Sequence, residues 1–438
     1  MPAWGVVSRA VRRAQGRPVT RILLGSLVGQ GVVIGVSPLI TRLYTPGDLG
    51  ALAVLTGISA VLGVVSTLGW ERALVLPRTE SAARALVLLA ILSGLVVVAA
   101  VALASFALRV ELATWFGAPT LETAWWLLPL TVLAIASQRI LSAVLARRRA
   151  YGQMAVRNAL QGIGQVVANL TLAPLGGGLG LLVGLAAGRA AGIVGLGAAN
   201  RRSRLATREG ADNEAEARRR RRITLSARLV RAVAFRYRRF PLVSTWSGLL
   251  NVAGQQAPML VLTASYGAGA VGLVALTIRV LAAPVGIVAD AVAQYFEGHV
   301  GHLVRTRSTG LRRTVLSLVA RLAIVGGAGA IVVLVLGPAL FGVVFGSEWS
   351  EAGRFAQILV PAYAAQIVVS PLSRLLPLLE RQGVQVAWDV GRLIVTIGSV
   401  IAGVTLGLGI GVTLTGFASA SCVAYAVLLV LVVRASPR

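Results

Sequence analysis

Long apolar segments alternate with short polar or basic segments along nearly the whole chain. Each apolar segment is about 20 residues long, the length of an α-helix that crosses a hydrocarbon core roughly 30 Å thick. The apolar runs are continuous rather than alternating, which excludes a membrane β-barrel. We therefore predict an all-α polytopic membrane protein with twelve transmembrane helices, at residues 20–43, 48–70, 83–107, 122–145, 154–174, 179–199, 241–264, 269–293, 314–340, 355–378, 384–406 and 410–433.

Composition supports this class and sets the orientation of the chain. Hydrophobic residues make up 56% of the sequence and charged residues 13%, about half the charged share of a soluble domain. A net charge of +27 would suggest nucleic-acid binding in a soluble protein, but here the basic residues, all arginine, concentrate in the loops between spans. Arginine-rich and arginine-poor loops alternate, so both termini and the long central loop are predicted to be cytoplasmic.

The central basic segment divides the sequence into two predicted lobes. Residues 1–200 form an N-terminal six-helix lobe, 201–240 a basic cytoplasmic linker, and 241–438 a C-terminal six-helix lobe. Five consecutive arginines in the linker could attract anionic lipid, although a solvated connection between lobes explains them as well. Residues recur at constant offsets between the halves, 222 for Tyr44 and Gly50 and 231 for four later glycines. The lobes are therefore predicted to be parallel repeats, an arrangement that supports alternating access.

The first predicted hairpin, from Gln30 to Arg84, carries a family resemblance. Its apolar runs flank a turn, Thr45-Pro46-Gly47-Asp48, whose Pro and Gly favour the turn and whose Asp favours capping of the next helix. The segments LITRLYTPGDLGALAVL and GWERALVLPRTESAA resemble the opening helix pair of the bacterial polysaccharide (O-antigen) flippases. That family belongs to the multidrug/oligosaccharidyl-lipid/polysaccharide exporter superfamily.

Polar side chains form stripes on two predicted spans. One face of the fifth span carries Asn158, Gln161 and Gln165, with Asn169 beyond them. In the seventh span, polar residues recur at spacings of four, at Ser247, Asn251 and Gln255. Polar groups in a membrane helix must face protein or water, because lipid would leave them without hydrogen bonds. Both stripes therefore either line a cavity or hydrogen-bond between helices.

Arginines inside the predicted spans are the candidate substrate ligands. Arg279, Arg392 and Arg189 lie within spans, where an isolated charge is costly, whereas Arg139 lies close enough to a helix end to snorkel. A guanidinium suits phosphate oxygens, so these arginines could bind a diphosphate; structural ion pairs, such as Arg392 with Asp389, are the alternative. The resemblance implies a cationic cavity between the lobes, with Arg42, Arg72 and Arg279 as candidates.

Few other residues suggest chemistry. Asp290 and Asp389 are candidates for coupling to a proton or cation, since a membrane carboxylate can bind either one. His299 and His302 lack further ligands, so no metal site is expected. We find no phosphate-binding Gly-Lys loop and no Ser/His/Asp set, so we expect neither an enzyme nor a cofactor.

The resemblance implies a flippase of the bacterial inner membrane. Its substrate would be a polyprenyl-diphosphate-linked oligosaccharide, moved from the cytoplasmic to the outer leaflet for surface polysaccharide biosynthesis. Partners would be that substrate, membrane lipids and other polysaccharide-assembly proteins, and no nucleic acid. The alternatives are a cation-coupled multidrug exporter of the same superfamily and a polytopic polysaccharide-assembly enzyme.

Overall fold

A computed structural model describes residues 29–148, 150–175, 177–206, 226–305, 311–374, 376 and 381–435. Within these residues the secondary structure is helical, and they contain no β-strand. The longer helices are α1 (Ser37–Leu43), α2 (Pro46–Val65), α3 (Glu80–Ala107), α4 (Leu127–Arg147), α5 (Tyr151–Leu172), α6 (Leu179–Ala206), α7 (Ala227–Arg236), α8 (Thr245–Arg305), α9 (Leu311–Phe345), α10 (Ser350–Val369), α11 (Gln382–Thr405) and α12 (Ile410–Ala435).

Short helical turns connect several of these helices. Residues 29–35 are helical and lead into α1. The remaining α-helical, 3-10 and π-helical turns are Trp70–Ala73, Arg109–Trp115, Thr120–Thr123, Ala173–Leu175, Phe240–Ser244, Ser347–Trp349 and Ser370–Arg374.

The predicted turn between the first two spans is a helix cap. The Thr45 backbone N–H donates to Asp48 Oδ2 at 3.0 Å, and the Asp48 backbone N–H donates to Thr45 Oγ1 at 3.3 Å. The Thr45 hydroxyl also donates to Asp48 Oδ2, at 2.9 Å. This reciprocal capping satisfies two backbone donors that an α-helix leaves free at its start. The helix begins at Pro46, two residues before the predicted start of the span at 48, so that Asp48 lies in its first turn.

Eight helices in the described part of the chain are long and apolar enough to cross a membrane. One of them, Phe240–Gly286, covers one predicted span and most of the next. The two spans are separated at Gly267, whose φ of 78° and ψ of 164° interrupt α8. Polar residues keep α5 out of the eight. The multi-span helical architecture is therefore confirmed. The count of twelve stays a prediction, since residues 1–28 lie outside the described part.

The chain divides into two compact units. The first comprises residues 1–36, 55–114 and 119–256, and the second comprises 37–54, 115–118 and 257–438. In the first unit, α7 packs against the short helix Trp70–Ala73 and the start of α3 through a core that includes Trp70, Leu86 and Val233. The core of the second unit joins α9, α10 and α12 through Val315, Val369 and Leu428, among others. The boundary predicted at 201–240 remains a prediction.

Within the second unit, two related turns meet through their backbones. A Cβ atom added at Gly50 would overlap the carbonyl oxygen of Ala268, and one added at Gly272 would overlap that of Pro46. Both contacts join positions that the 222-residue offset makes equivalent, since Pro46 corresponds to Ala268 and Gly50 to Gly272. The sequence repeat is thus visible as a reciprocal contact in which neither glycine has room for a side chain.

Candidate functional site

A buried ion pair fixes one arginine of the first unit. Arg139 on α4 lies with Nη2 3.0 Å from Oε1 of Glu71, whose side chain is only 7% exposed. Arg139 Nη1 also donates to the carbonyl oxygen of Gly63, and the Thr67 hydroxyl donates to Glu71 Oε2. Every member of this group is thus partnered, as a charge in a low-dielectric interior requires. The expectation that Arg139 snorkels toward a helix end was wrong, because a carboxylate lies within its reach.

Arg157 on α5 is a second satisfied arginine, and the sequence reasoning missed it. Its guanidinium donates to the Ser142 hydroxyl and to Asn158 Oδ1, and its residue is only 5% exposed. On the same face, Gln138 Nε2 donates to Gln161 Oε1 at 3.0 Å. A signal was available, because Arg157 precedes Gln161 by four residues and so extends the predicted polar stripe by one turn.

The α5 stripe packs against a glycine face of α6. The glycines of α6 have no room for side chains on this face. A Cβ atom added at Gly184 would overlap the Asn169 side chain, and one added at Gly188 would lie 2.6 Å from Gln165 Cβ. At Gly192 an added Cβ would lie 3.0 Å from the Arg157 carbonyl oxygen. Such spacing of small residues lets two membrane helices approach closely. The stripe therefore takes part in packing between helices. That Asn158, Gln161 and Gln165 also line a cavity stays a prediction.

The polar stripe at the start of α8 has a different environment. Asn251 and Gln255 are both exposed, and Gln255 Nε2 donates to Asn251 Oδ1 at 3.2 Å. About two turns earlier, the exposed Arg72 side chain donates from its guanidinium to the carbonyl oxygen of Ser244 at 2.8 Å. Amides with unused donors and acceptors are stable in a membrane protein only where water or a polar ligand reaches them.

Arg279, in the second unit, lies in the C-terminal half of α8. It is half-buried, and it makes no hydrogen bond or ion pair with any other residue that the structure describes. Its neighbour Thr277 is fully satisfied, donating to the carbonyl oxygens of Leu273 and Ala352. Leu276 and Leu281, on either side in sequence, are buried. The helix is therefore well packed around a cation that has no partner among the described residues.

Arg392 on α11 contacts an aromatic ring rather than a carboxylate. Its guanidinium carbon lies 5.3 Å from the centroid of the Trp388 ring, and it also interacts with the Tyr425 hydroxyl. Trp388 is itself held by a hydrogen bond from Nε1 to the carbonyl oxygen of Ala424. Asp389 is exposed and accepts a hydrogen bond from Gln385 rather than pairing with Arg392. The alternative ion pair between Asp389 and Arg392 is thus not formed.

The other candidates occupy separate positions. Arg42 is exposed in the last turn of α1, and Arg189 on α6 has its Nε atom buried without a hydrogen-bond partner among the described residues. The side chain of Asp290 lies outside the described part, as do those of His299 and His302. The described residues contain no group of His, Cys, Asp and Glu that could hold a metal ion.

Comparison with known protein families agrees with the resemblance that the first predicted hairpin carries. Residues 39–205 match a family described as "Polysaccharide biosynthesis protein". No match was found among curated proteins.

Solved structures share the fold over nearly the full length of the chain. A structure of the lipid II flippase MurJ in an inward closed conformation has a TM-score of 0.69 at 12% identity, covering 95% of this chain and 87% of that one. An inward-facing multidrug resistance MATE transporter has a TM-score of 0.62 at 14% identity, covering 95% and 97%. A MOP superfamily transporter from Pyrococcus furiosus has a TM-score of 0.51 at 12% identity, covering 96% of each chain.

The apolar helices and the shared fold indicate where the protein resides. Long apolar helices, together with a fold shared with solved membrane transporters and flippases, make it a multi-pass membrane protein. The family match covers residues 39–205, less than half of the chain, and the fold that the chain shares with MurJ and MATE proteins is that of membrane transporters and flippases.

Proposed function

We propose that this protein is a flippase that moves a polyprenyl-diphosphate-linked oligosaccharide from the cytoplasmic to the outer leaflet of a bacterial inner membrane, for surface polysaccharide biosynthesis. Both termini lie in the cytoplasm, and transport proceeds by alternating access of two six-helix lobes. One observation carries the proposal: Arg279 is a half-buried arginine inside an apolar helix, without a partner among the described residues. A cation retained at such a position calls for an anion that arrives from outside the chain.

The substrate's chemistry matches the uncommitted groups. A diphosphate presents several charged oxygens, and the fork of an arginine guanidinium binds two of them at once. Sugar hydroxyls both donate and accept hydrogen bonds, as do the exposed amides of Asn251 and Gln255. The polyprenyl tail needs no polar path because it can stay in the bilayer. The polysaccharide family match over residues 39–205 supports the same class of substrate.

The test replaces Arg279 and a matched arginine that the proposal does not use. Arg279→Gln is expected to abolish surface polysaccharide and to cause the lipid-linked precursor to accumulate, while the protein reaches the membrane in normal amounts. Arg321→Gln is the control, since Arg321 is an exposed arginine of α9 near a helix end, where it can snorkel. The control variant is expected to export normally.

The outcomes separate this function from drug export. If Arg279→Gln is present at normal levels and exports polysaccharide normally, the proposal is wrong. If that variant changes the cell's resistance to cationic drugs while precursor levels stay normal, the chain is a multidrug exporter instead.

A further inference from the structure

Helix α7 has a composition unlike that of the transmembrane helices. It begins at Ala227, where the Ser226 hydroxyl accepts a hydrogen bond from the Leu229 backbone N–H at 3.2 Å. From Ser226 to Ser244 the sequence contains five arginines and no aspartate or glutamate. The segment is thus a short capped helix with a strong positive charge, and it leads directly into the first predicted span of the second lobe.

One face of α7 is fixed against the first unit. Val233 is only 4% exposed and packs in a core with Trp70, Leu74 and Leu86. Leu229 and Val230 pack against the same core. These contacts set the rotation of α7 about its axis, so the opposite face is presented outward as a consequence of packing.

The outward face combines arginine with exposed aromatic rings. Helical spacing places Arg228, Arg231 and Phe235 on this face, and Arg238 follows just beyond the helix. The Phe235 side chain is 66% exposed, and the Arg238 guanidinium carbon lies 4.2 Å from the centroid of its ring. Trp246 is also exposed two turns further along. These four residues, Arg228, Arg231, Phe235 and Arg238, are called the basic face below.

The arginines of this segment are available for binding. None of the five makes an ion pair or hydrogen bond with another residue that the structure describes. They can therefore attract anions without first breaking an ion pair or hydrogen bond to a described residue; Arg236 and Arg238 contact only the rings of Tyr237 and Phe235. Exposed aromatic rings beside cations are the composition of helices that lie in the plane of a membrane surface, with the rings at the level of the headgroups.

We propose that the basic face is a binding site for anionic phospholipid headgroups of the leaflet on its own side, predicted to be the cytoplasmic one. The arginine forks bind the phosphate oxygens, and Phe235 inserts among the upper acyl chains. The lipid is a resident phospholipid rather than the transported molecule, so this inference does not depend on the proposed substrate. The same α7 contacts that bury Val233 would couple lipid binding to the short helix Trp70–Ala73 and to the start of α3.

The test measures binding of phosphatidylglycerol to the full-length protein in a neutral detergent, by native mass spectrometry. In the Arg231→Gln/Arg238→Gln variant, the dissociation constant is expected to rise by about fivefold for each charge removed. Binding of phosphatidylcholine should not change. The charge-keeping variant Arg231→Lys/Arg238→Lys should retain most of the affinity, and its thermal stability serves as a check on folding.

A matched control removes the same amount of charge elsewhere. Arg109→Gln/Arg354→Gln changes two arginines whose loops are predicted to face the other side of the membrane, and it should leave phosphatidylglycerol binding unchanged. Equal losses in both variants would mean that only net charge matters and would overturn the proposal. The site would also be reassigned if inorganic phosphate displaced the lipid completely, because the site would then recognise free phosphate. No loss in the Arg231→Gln/Arg238→Gln variant would overturn the proposal outright.

Discussion

Two arginines in apolar helices, Arg139 in the first unit and Arg279 in the second, have opposite surroundings. Arg139 makes an ion pair with Glu71 and a hydrogen bond to a backbone carbonyl, whereas Arg279 makes neither with any described residue. The same side chain therefore has two different environments in one protein, and we propose a different task for each. A fully partnered charge holds helices together, while an unpartnered one keeps its binding capacity for a ligand.

The packing around the two regions differs in the same sense. In the first unit, glycines of α6 such as Gly184 are pressed against the side chains of α5. In the second unit, Gly286, seven residues after Arg279, has no atom within 4 Å of the position of an added Cβ. The α5–α6 contact is therefore tightly packed. The helix that carries Arg279, which has no partner among the described residues, has space beside Gly286.

The largest expected effect comes from leaving Glu71 without its counter-charge. Arg139→Ala should lower the free energy of unfolding by about 3–5 kcal/mol, because a carboxylate would remain buried without a cation. Chemical unfolding of the purified protein in detergent micelles measures this change. The double variant Glu71→Leu/Arg139→Met, which removes both charges, should recover much of the loss. If the double variant is no more stable than Arg139→Ala alone, the ion pair is not what stabilises this region.

Arg279→Gln should show the reverse pattern. Transport, scored by precursor accumulation, is expected to fall by about tenfold to a hundredfold, the range of one to two charge-assisted hydrogen bonds. The free energy of unfolding should change little, since no contact with a described residue is lost. Arg279→Lys keeps the charge and should retain part of the transport. A destabilised but transport-competent Arg279→Gln would make Arg279 a structural residue like Arg139.

A pair of alanine substitutions compares the packing of the two regions. Gly184→Ala should destabilise the protein by about 1–3 kcal/mol, because the added methyl group would overlap Asn169. Gly286→Ala adds the same group where there is room, and it should be neutral or slightly stabilising in a helix. Both values come from unfolding in detergent micelles. Equal effects at the two positions would remove the distinction in packing.

Arg392→Gln should have the smallest effect, since Arg392 is intermediate between the two extremes. Its contact with the Trp388 ring is expected to contribute about 0.5–2 kcal/mol to stability. Transport should fall less than in Arg279→Gln, because aromatic contacts already occupy part of the guanidinium. Unfolding and precursor accumulation in the same preparation test both statements. A loss of transport as large as that of Arg279→Gln would place Arg392 in direct contact with substrate.

The local features of the fold were predictable from the sequence. The turn at Thr45–Asp48 was recognised because capping depends on residues within one helical turn, and Asp48 indeed bonds to Thr45. The break in α8 at Gly267 falls in a predicted loop for a similar reason, since a positive φ favours glycine. Hydrophobic length alone marked most of the spans.

The site was harder to predict because its contacts are distant in sequence. Glu71 and Arg139 are 68 residues apart, and no spacing rule joins them. Conversely, the spacing of three between Asp389 and Arg392 suggested a pair that does not form, because aromatic residues hold Arg392 instead. Periodicity shows which residues share a face, as it did for Gln161 and Gln165. It does not show whether that face meets water or a neighbouring helix, and here the glycines of α6 cover part of it.

The reciprocal contact of Gly50 and Gly272 has a consequence for any movement of those two turns. Main-chain atoms have no rotamers, so a contact made by them cannot loosen by degrees as a side-chain contact can. The two helix starts can therefore separate only by moving their backbones apart. Since the repeat supplies a glycine on both sides, a methyl group on either one would prevent the close contact.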